Sequence, residues 1–158
     1  MANTQSMCTS FLGELMTATH NFGASPIRAA ATADTFKGAL YLASATLNAS
    51  TTVYSATGEV TGTNYTAGGV TVTNATAPSS TNSSATAGVG YWTPSASLVY
   101  TNVTLTTAFD TVFIYNSTQS NKAVSVHTFG SQTITAGTFT LTMPSNTTST
   151  ALLRLATT

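Results

Sequence analysis

The fold is decided by three consecutive stretches of the chain, TVFIYN (111–116), NSTQSN (116–121) and KAVSVHTF (122–129). The outer two stretches are short runs rich in β-branched and aromatic residues, which favour half-buried strands. The middle stretch holds small and amide side chains of the kind that dominate turns. Together the three stretches predict an antiparallel β-hairpin with a tight polar turn.

Further strands are predicted on both sides of this hairpin, at a spacing of roughly 8–12 residues. The dipeptide Ala136-Gly137 is a candidate two-residue hairpin turn between two of them. About eight short strands in succession favour an all-β fold, an antiparallel β-sandwich or jelly-roll-like domain, over alternating strand–helix units. The strands predicted besides the central pair cover 35–43, 70–74, 98–105, 132–135, 138–143 and 151–155.

One N-terminal amphipathic helix is predicted ahead of the strands, over QSMCTSFLGELMTATHNF (5–22). Its apolar residues recur at i, i+3 and i+4 spacing and form one stripe. The stripe either packs on this chain's own sheet or docks on a neighbouring subunit, and the sequence leaves both arrangements open. The chain is therefore divided into an N-terminal helical segment, 1–25, and a single β-sandwich domain, 26–158. The low-complexity stretch 75–90 predicts a mobile polar loop within that domain.

The composition is almost free of charge. Among 158 residues only 5% are charged and the formal net charge is zero, while Ser and Thr number 18 and 36. Nucleic-acid surfaces and polybasic membrane patches need clustered Lys and Arg, so neither partner is expected. Strand edges that lack charged residues are prone to pair with other chains. The composition therefore predicts that edges and faces are covered by neighbours in an assembly.

Catalytic and metal-binding patterns are not found in the sequence. The lone Cys8 is expected to be a small buried hydrophobe, and it can form no disulfide within the chain. His127 is expected to be a satisfied or partly exposed strand residue, while His20 lies near the predicted helix end, where a cation is favourable. One Cys and two distant His cannot close a zinc site. No enzyme activity, small-molecule substrate, cofactor or metal is expected.

The N-terminal stretch MANTQSMCTSF lacks the basic and apolar regions of a signal peptide. No apolar run reaches the roughly 18 residues that a membrane-spanning helix needs. We therefore expect synthesis in a cytoplasm, no export by the usual route and no membrane partner.

Two groups of apolar side chains are candidates for a contact surface. One group belongs to the helix stripe, and the other is the Tyr91-Trp92 pair just after the low-complexity stretch. The wider set of tyrosines could also form a contact patch for carbohydrate or protein, although ordinary packing explains the same residues. The possible interface residues are Phe11, Leu12, Leu15, Met16, Tyr91 and Trp92.

Four blocks carry a resemblance to a known family: DTFKGALYLASATL (34–47), EVTGTNYTAGG (59–69), FDTVFIYNSTQSNKAV (109–124) and TAGTFTLTMPS (135–145). Through the order of these blocks, the chain resembles a family of small virion structural proteins of tailed bacteriophages. The resemblance runs nearly from end to end and is weakest over 76–90. No block is a catalytic motif, so no active-site residue is implied.

The resemblance implies a capsid decoration, or cement, protein with a β-sandwich fold. Such a protein is made in the host cytoplasm, lies on the capsid surface of the virion, and binds the major capsid protein and itself as a dimer or trimer. The alternative is a tail, neck or fibre component with a host-surface or adaptor role. A secreted adhesin is a third possibility, against which the lack of a signal peptide argues.

Overall fold

The computed structural model describes residues 3–16, 19–22, 33–73, 77–81 and 88–156, and within the helix it leaves out the side chains at 9, 12, 13 and 16. This part of the chain is all-β with very little helix. Two antiparallel sheets form, one of five strands in the order β1-β7-β6-β2-β3 and one of three in the order β4-β5-β8. The elements are β1 (Ser6–Met7), α1 (Thr9–Met16), β2 (Phe36–Leu42), β3 (Val70–Thr71), β4 (Ser79–Ser80), β5 (Val89–Trp92), β6 (Leu98–Asn116), β7 (Lys122–Leu141) and β8 (Leu153–Ala156).

The central hairpin predicted from the sequence is confirmed. Strands β6 and β7 pair antiparallel, with Asn116 opposite Lys122 at the turn. Both strands are longer than predicted, because the segments 98–105 and 111–116 merge into β6 and three predicted segments merge into β7. The hairpin predicted at Ala136-Gly137 is wrong. Ala136 has a φ of 47°, and the shifted pairing on either side of it marks bulges, which kink a strand without reversing it.

Strand β2 forms the most completely buried part of the large sheet. It pairs with β6 along its whole length, and Phe36, Leu40 and Tyr41 are fully buried. The loop that follows β2 returns across the sheet and ends at Gly69, where φ is 73°. A Cβ atom at Gly69 would lie 1.8 Å from the carbonyl oxygen of Gly38, so this close approach requires glycine.

The N-terminal helix is shorter than the helix predicted over 5–22. Residues Ser6 and Met7 pair with Val126 and Ser125 as β1, and helix α1 then has only eight residues. The backbone N–H of Cys8 donates to the carbonyl of Val124, 3.1 Å away. Hydrogen bonding to the edge of β7 has therefore replaced the first helical turn that the apolar spacing predicted. Within the described ranges, no helix is long and apolar enough to cross a membrane.

The small sheet occupies part of the stretch predicted as a mobile loop. Ser79 and Ser80 of β4 pair with Tyr91 and Gly90 of β5, and β5 pairs on its other side with β8. Residues 75, 76 and 82–87 of the predicted loop lie outside the described residues, as does residue 74 of the strand predicted over 70–74. The strand predicted over 151–155 is found as β8, shifted toward the C-terminus.

Candidate interaction surface

An apolar groove lies between helix α1 and the small sheet, with a volume of about 170 Å³. Helix α1 presents part of its apolar stripe to the groove, and β8 presents the alternating Leu153 and Leu155. Strand β5 contributes the neighbouring Tyr91 and Trp92. The groove is lined by Phe11, Leu15, Phe22, Pro78, Ser79, Gly90, Tyr91, Trp92, Leu153 and Leu155.

An aromatic cluster forms the floor of this groove and joins the two sheets. The ring of Phe22 stacks on Phe36 of β2, with 4.4 Å between centroids, and lies 4.7 Å from Trp92 of β5. Phe11 of α1 meets Phe22 edge-on at 5.8 Å. Such offset and edge-on contacts stabilise aromatic pairs beyond the area that they bury. The floor is therefore fixed before any partner arrives.

The structure brings together four of the six side chains predicted to form an interface. Phe11 and Trp92 are 2% and 3% exposed and belong to the floor, whereas Leu15 and Tyr91 are half-buried at the walls. Leu12 and Met16 lie in α1, but their side chains fall outside the described part. The sequence analysis missed Leu155, which is 42% exposed at the rim. The alternation of Leu153 and Leu155 in the terminal LLRLA was the available signal.

A polar network behind the groove fastens the N-terminal segment to the central hairpin. The carboxylate of Glu14 accepts from Lys122 Nζ at 2.6 Å and lies 2.7 Å from His20 Nε2. Burial alone would raise the pKa of the Glu14 carboxyl, but the hydrogen bonds from Lys122 and His20 outweigh it and lower that pKa. Both contacts therefore stabilise the ionised carboxylate.

The tautomer of His20 follows from its neighbours. The side-chain oxygen of Asn116 accepts hydrogen bonds from the backbone N–H groups of Thr118 and Gln119. The amide nitrogen of Asn116 therefore points the other way, where it lies 3.1 Å from Nδ1 of His20 and 2.7 Å from the carboxylate of Asp34. His20 Nδ1 is thus an acceptor, and Nε2–H donates to Glu14. Burial lowers the pKa of His20 despite the nearby carboxylates. The expectation of a cation at a helix end is wrong, because α1 ends at Met16 and His20 is buried in its neutral form.

A second histidine contacts a hydroxyl. Ser125 Oγ lies 2.8 Å from His127 Nε2 on one face of β7, and burial lowers the pKa of His127 to about 4. Within the described residues, no hydrogen bond joins a carboxylate to this imidazole. Ser125 is also fully buried. The pair is consistent with the expected satisfied strand histidine.

The single cysteine lies in the protein interior. Cys8 is fully buried, and burial together with the charge of Glu14 raises its thiol pKa to about 11, which confirms the expected buried hydrophobe.

Glu59 accepts from the hydroxyls of Tyr54 and Tyr65 at 2.5 and 2.7 Å and from the N–H of Gly68 at 2.7 Å. Burial, together with the hydrogen bond to Glu59, raises the pKa of both tyrosines, so they remain donors. Tyr41 and Tyr115 also donate to loop carbonyls, those of Ser55 and Gly68, so four of the six tyrosines hold the loop after β2 on the sheet.

Charged side chains are used mainly for internal contacts. Of the seven charged residues in the described ranges, six hydrogen-bond to other parts of this chain, so few of these charges remain for recognition of a partner. These six are Glu14, Asp34, Glu59, Asp110, Lys122 and Arg154.

Comparisons with known proteins do not add a relationship. No protein-family model matches the chain, no curated protein matches it, and no solved structure matches its fold. In the ranges that the structure describes, no group of three or more His, Cys, Asp or Glu side chains could hold a metal ion. The apolar groove gathers four of the six predicted interface side chains and is the candidate functional surface.

Proposed function

We propose that this protein is a structural component of a tailed-bacteriophage particle, a head decoration protein that binds the major capsid protein and stabilises the shell. The proposal combines the resemblance of the four sequence blocks with one structural observation. That observation is the convergence of Phe11, Leu15, Tyr91 and Trp92 on a single apolar groove. The fully buried core of a protein–protein interface is apolar, so a preformed apolar groove of this kind suits contact with another protein.

The groove has the size of a site for one anchoring side chain. An apolar cavity of about 150 Å³ holds a benzene molecule, so the roughly 170 Å³ groove suits one aromatic or branched aliphatic side chain of the capsid protein. Buried anchors of this type contribute most of the energy of many interfaces. Repetition over a capsid lattice then multiplies a modest single contact.

The proposal includes a sandwich-type arrangement of the two sheets. It is supported by the packing of Trp92 of the small sheet, whose ring lies 6.2 Å from that of Phe36 in the large sheet. The ring of Phe22 lies 4.7 Å from that of Trp92 and also contacts Phe36. An aromatic layer between two sheet faces is the core that a sandwich requires. Such an arrangement fixes the position of the groove relative to the large sheet.

We further propose synthesis in the host cytoplasm, a place on the capsid surface, and no enzymatic role. Glu14, Asp34 and Glu59 accept hydrogen bonds within the chain, which supports an outer surface with little charge. Such a surface binds a partner by burying apolar area and by forming hydrogen bonds.

A binding experiment tests the groove. Heads are purified from a phage whose coding region for this chain is deleted, and the purified chain is co-sedimented with them. Leu155→Lys places a charge at the rim without removing a core side chain, and we expect at least tenfold weaker binding. Val99→Lys is the matched control, because Val99 is similarly exposed, at 44%, and lies outside the groove. Equal binding by both variants would overturn the groove as the capsid contact, and binding to tails instead of heads would favour the alternative role.

A further inference from the structure

Over most of its length, the outer edge of β7 pairs with no strand among the described residues. Strand β1 pairs with β7 only at Ser125 and Val126, and the 52–53 segment covers its first residues. From 127 to 141, no described strand pairs with this edge. An edge strand of this kind presents a row of unpaired N–H and C=O groups that can pair with another strand.

The opposite edge of the same hairpin is closed. The N–H of Thr104 in β6 donates to the carbonyl of Thr63 at 3.0 Å, and Asn64 donates to the carbonyl of Asn102 at 2.8 Å. The loop after β2 thus hydrogen-bonds to the outer half of β6 at Asn102 and Thr104. Only one side of the hairpin is available for a further strand.

The open edge carries no charged side chain. The sequence contains no Asp, Glu, Lys or Arg from 123 to 153. Natural edge strands commonly avoid association by means of lysine, inward-pointing charge, proline or β-bulges. The stretch 127–141 carries none of the first three, and its bulges lie on either side of Ile134. Its solvent-facing residues, including Thr133, Thr135 and Thr138, are small hydroxyl side chains that a pairing strand can accept.

An incompletely covered aromatic cluster lies beside the open edge. The ring of Phe139 lies 5.2 Å from that of Phe109 and 5.3 Å from that of Phe129. Phe109 is fully buried, whereas Phe129, Ile134 and Phe139 remain half-buried. A strand added at this edge would extend the sheet and cover these side chains.

We propose that two copies of this chain pair through the open edges of β7, antiparallel and about a twofold axis, to form one continuous sheet across the dimer. A second copy of the chain is favoured over a partner that is recognised by its charge. The edge carries no charged side chain that such a partner could bind, and pairing two copies brings no like charges together. Fifteen paired residues span at most roughly 50 Å, because the bulges kink β7 within this range. A strip about 10 Å wide along that length buries at most roughly 1,000 Å² in total, which is the lower limit of a specific interface.

The twofold axis fixes which residues meet. With the axis near Ile134, the centre of the open edge, Thr133 lies opposite Thr135 of the partner subunit. The inference concerns the isolated chain, so it does not depend on the groove or on a capsid.

Analytical ultracentrifugation of the purified chain tests the dimer. We expect a monomer–dimer equilibrium in the micromolar range for the native chain, and at least tenfold weaker dimerisation for the Thr133→Lys, Thr135→Lys double variant, in which like charges face each other. The variant Thr133→Lys, Thr135→Glu places opposite charges there and should restore the dimer. The matched control Thr101→Lys, Thr106→Lys alters exposed residues of β6 and should dimerise like the native chain. A monomer at all concentrations, or equal dimerisation by all variants, would overturn the proposal.

Cysteine cross-linking locates the axis independently. Cys8 is fully buried, so single cysteines introduced at positions 131–137 report on the edge alone. We expect disulfide formation between copies to peak at one position near Ile134 and to fall on both sides. Uniform cross-linking along the scan would indicate random collision and would contradict a fixed antiparallel register.

Discussion

The Nε2 atom of His20 lies 2.7 Å from Oε2 of Glu14, and both side chains contact the turn end of the central hairpin, through Asn116 and Lys122 respectively. This contact joins two parts of the N-terminal segment that are separated along the chain. It also places α1 at the wall of the apolar groove. The polar network and the groove therefore depend on the same placement of the N-terminal segment.

The first prediction concerns pH. Burial lowers the pKa of His127 from 6.5 to about 4 and also lowers the pKa of His20. Below pH 6.5 the unfolded chain binds protons that the folded chain excludes, so the free energy of unfolding falls as the pH drops. Between pH 6.5 and about pH 5 we expect a loss of about 1–3 kcal/mol, measured by urea unfolding.

His127→Gln is the control for this effect. Glutamine keeps a polar contact to Ser125 but does not titrate, so the dependence on pH should become shallower. A free energy of unfolding that stays constant across the window would contradict the neutral, buried state of the histidines.

The second prediction concerns Glu59. In Glu59→Gln the side chain presents an N–H₂ group toward three hydrogen-bond donors, and at least one donor loses its acceptor. We expect a loss of about 1–3 kcal/mol in the free energy of unfolding. Tyr54→Phe removes only the donor to Oε2 of Glu59 and leaves the donors Tyr65 and Gly68 on Oε1, so it should cost less, about 1 kcal/mol. Equal stability of Glu59→Gln and the native chain would contradict the assigned role.

The third prediction concerns the aromatic floor. Phe22→Ala removes the ring that lies between Phe36 and Trp92, and we expect a loss of about 3 kcal/mol. Trp92 is the single tryptophan of the chain, so its fluorescence emission should shift to longer wavelength as water enters. Phe129→Ala, at a half-buried position away from the floor, should leave the emission unchanged. An unshifted emission in Phe22→Ala would mean that Phe22 does not cover Trp92.

The fourth prediction concerns salt. Because few charges are left for recognition, binding of the chain to phage heads should change less than about threefold between about 0.05 and 0.5 M NaCl. Binding is measured by co-sedimentation at each concentration. Release of the chain at moderate salt would show that the contact is electrostatic and would contradict the apolar interface.

The central hairpin could be predicted from the sequence because its information is local. Strand-forming residues on both sides of the polar turn meet each other directly, and Asn116 pairs with Lys122 where the strands reach the turn. Continuity of the long strands could not be predicted in the same way. Ala136-Gly137 resembles a two-residue turn, but pairing with β6 continues past it as bulges.

The shortest strands depend on partners distant in sequence. Ser6 and Met7 belong to an apolar helical pattern, yet they pair with β7 because its edge supplies hydrogen-bond partners there. The groove likewise combines a local sequence signal with packing between segments that are distant in sequence. Apolar character identified Phe11 and Trp92 as candidates, but their convergence depends on the packing of β5 against the N-terminal segment. Leu155 carries no signal stronger than strand alternation.

The copy number of the chain in purified phage particles tests the proposed function most directly. Mass spectrometry quantifies this chain against the most abundant shell protein of the same particles. A decoration protein requires a ratio of order one, or a fixed simple fraction of it, because its sites repeat with the lattice. A handful of copies per particle would contradict decoration and favour a tail or neck component, and absence from the particles would contradict any role in the virion.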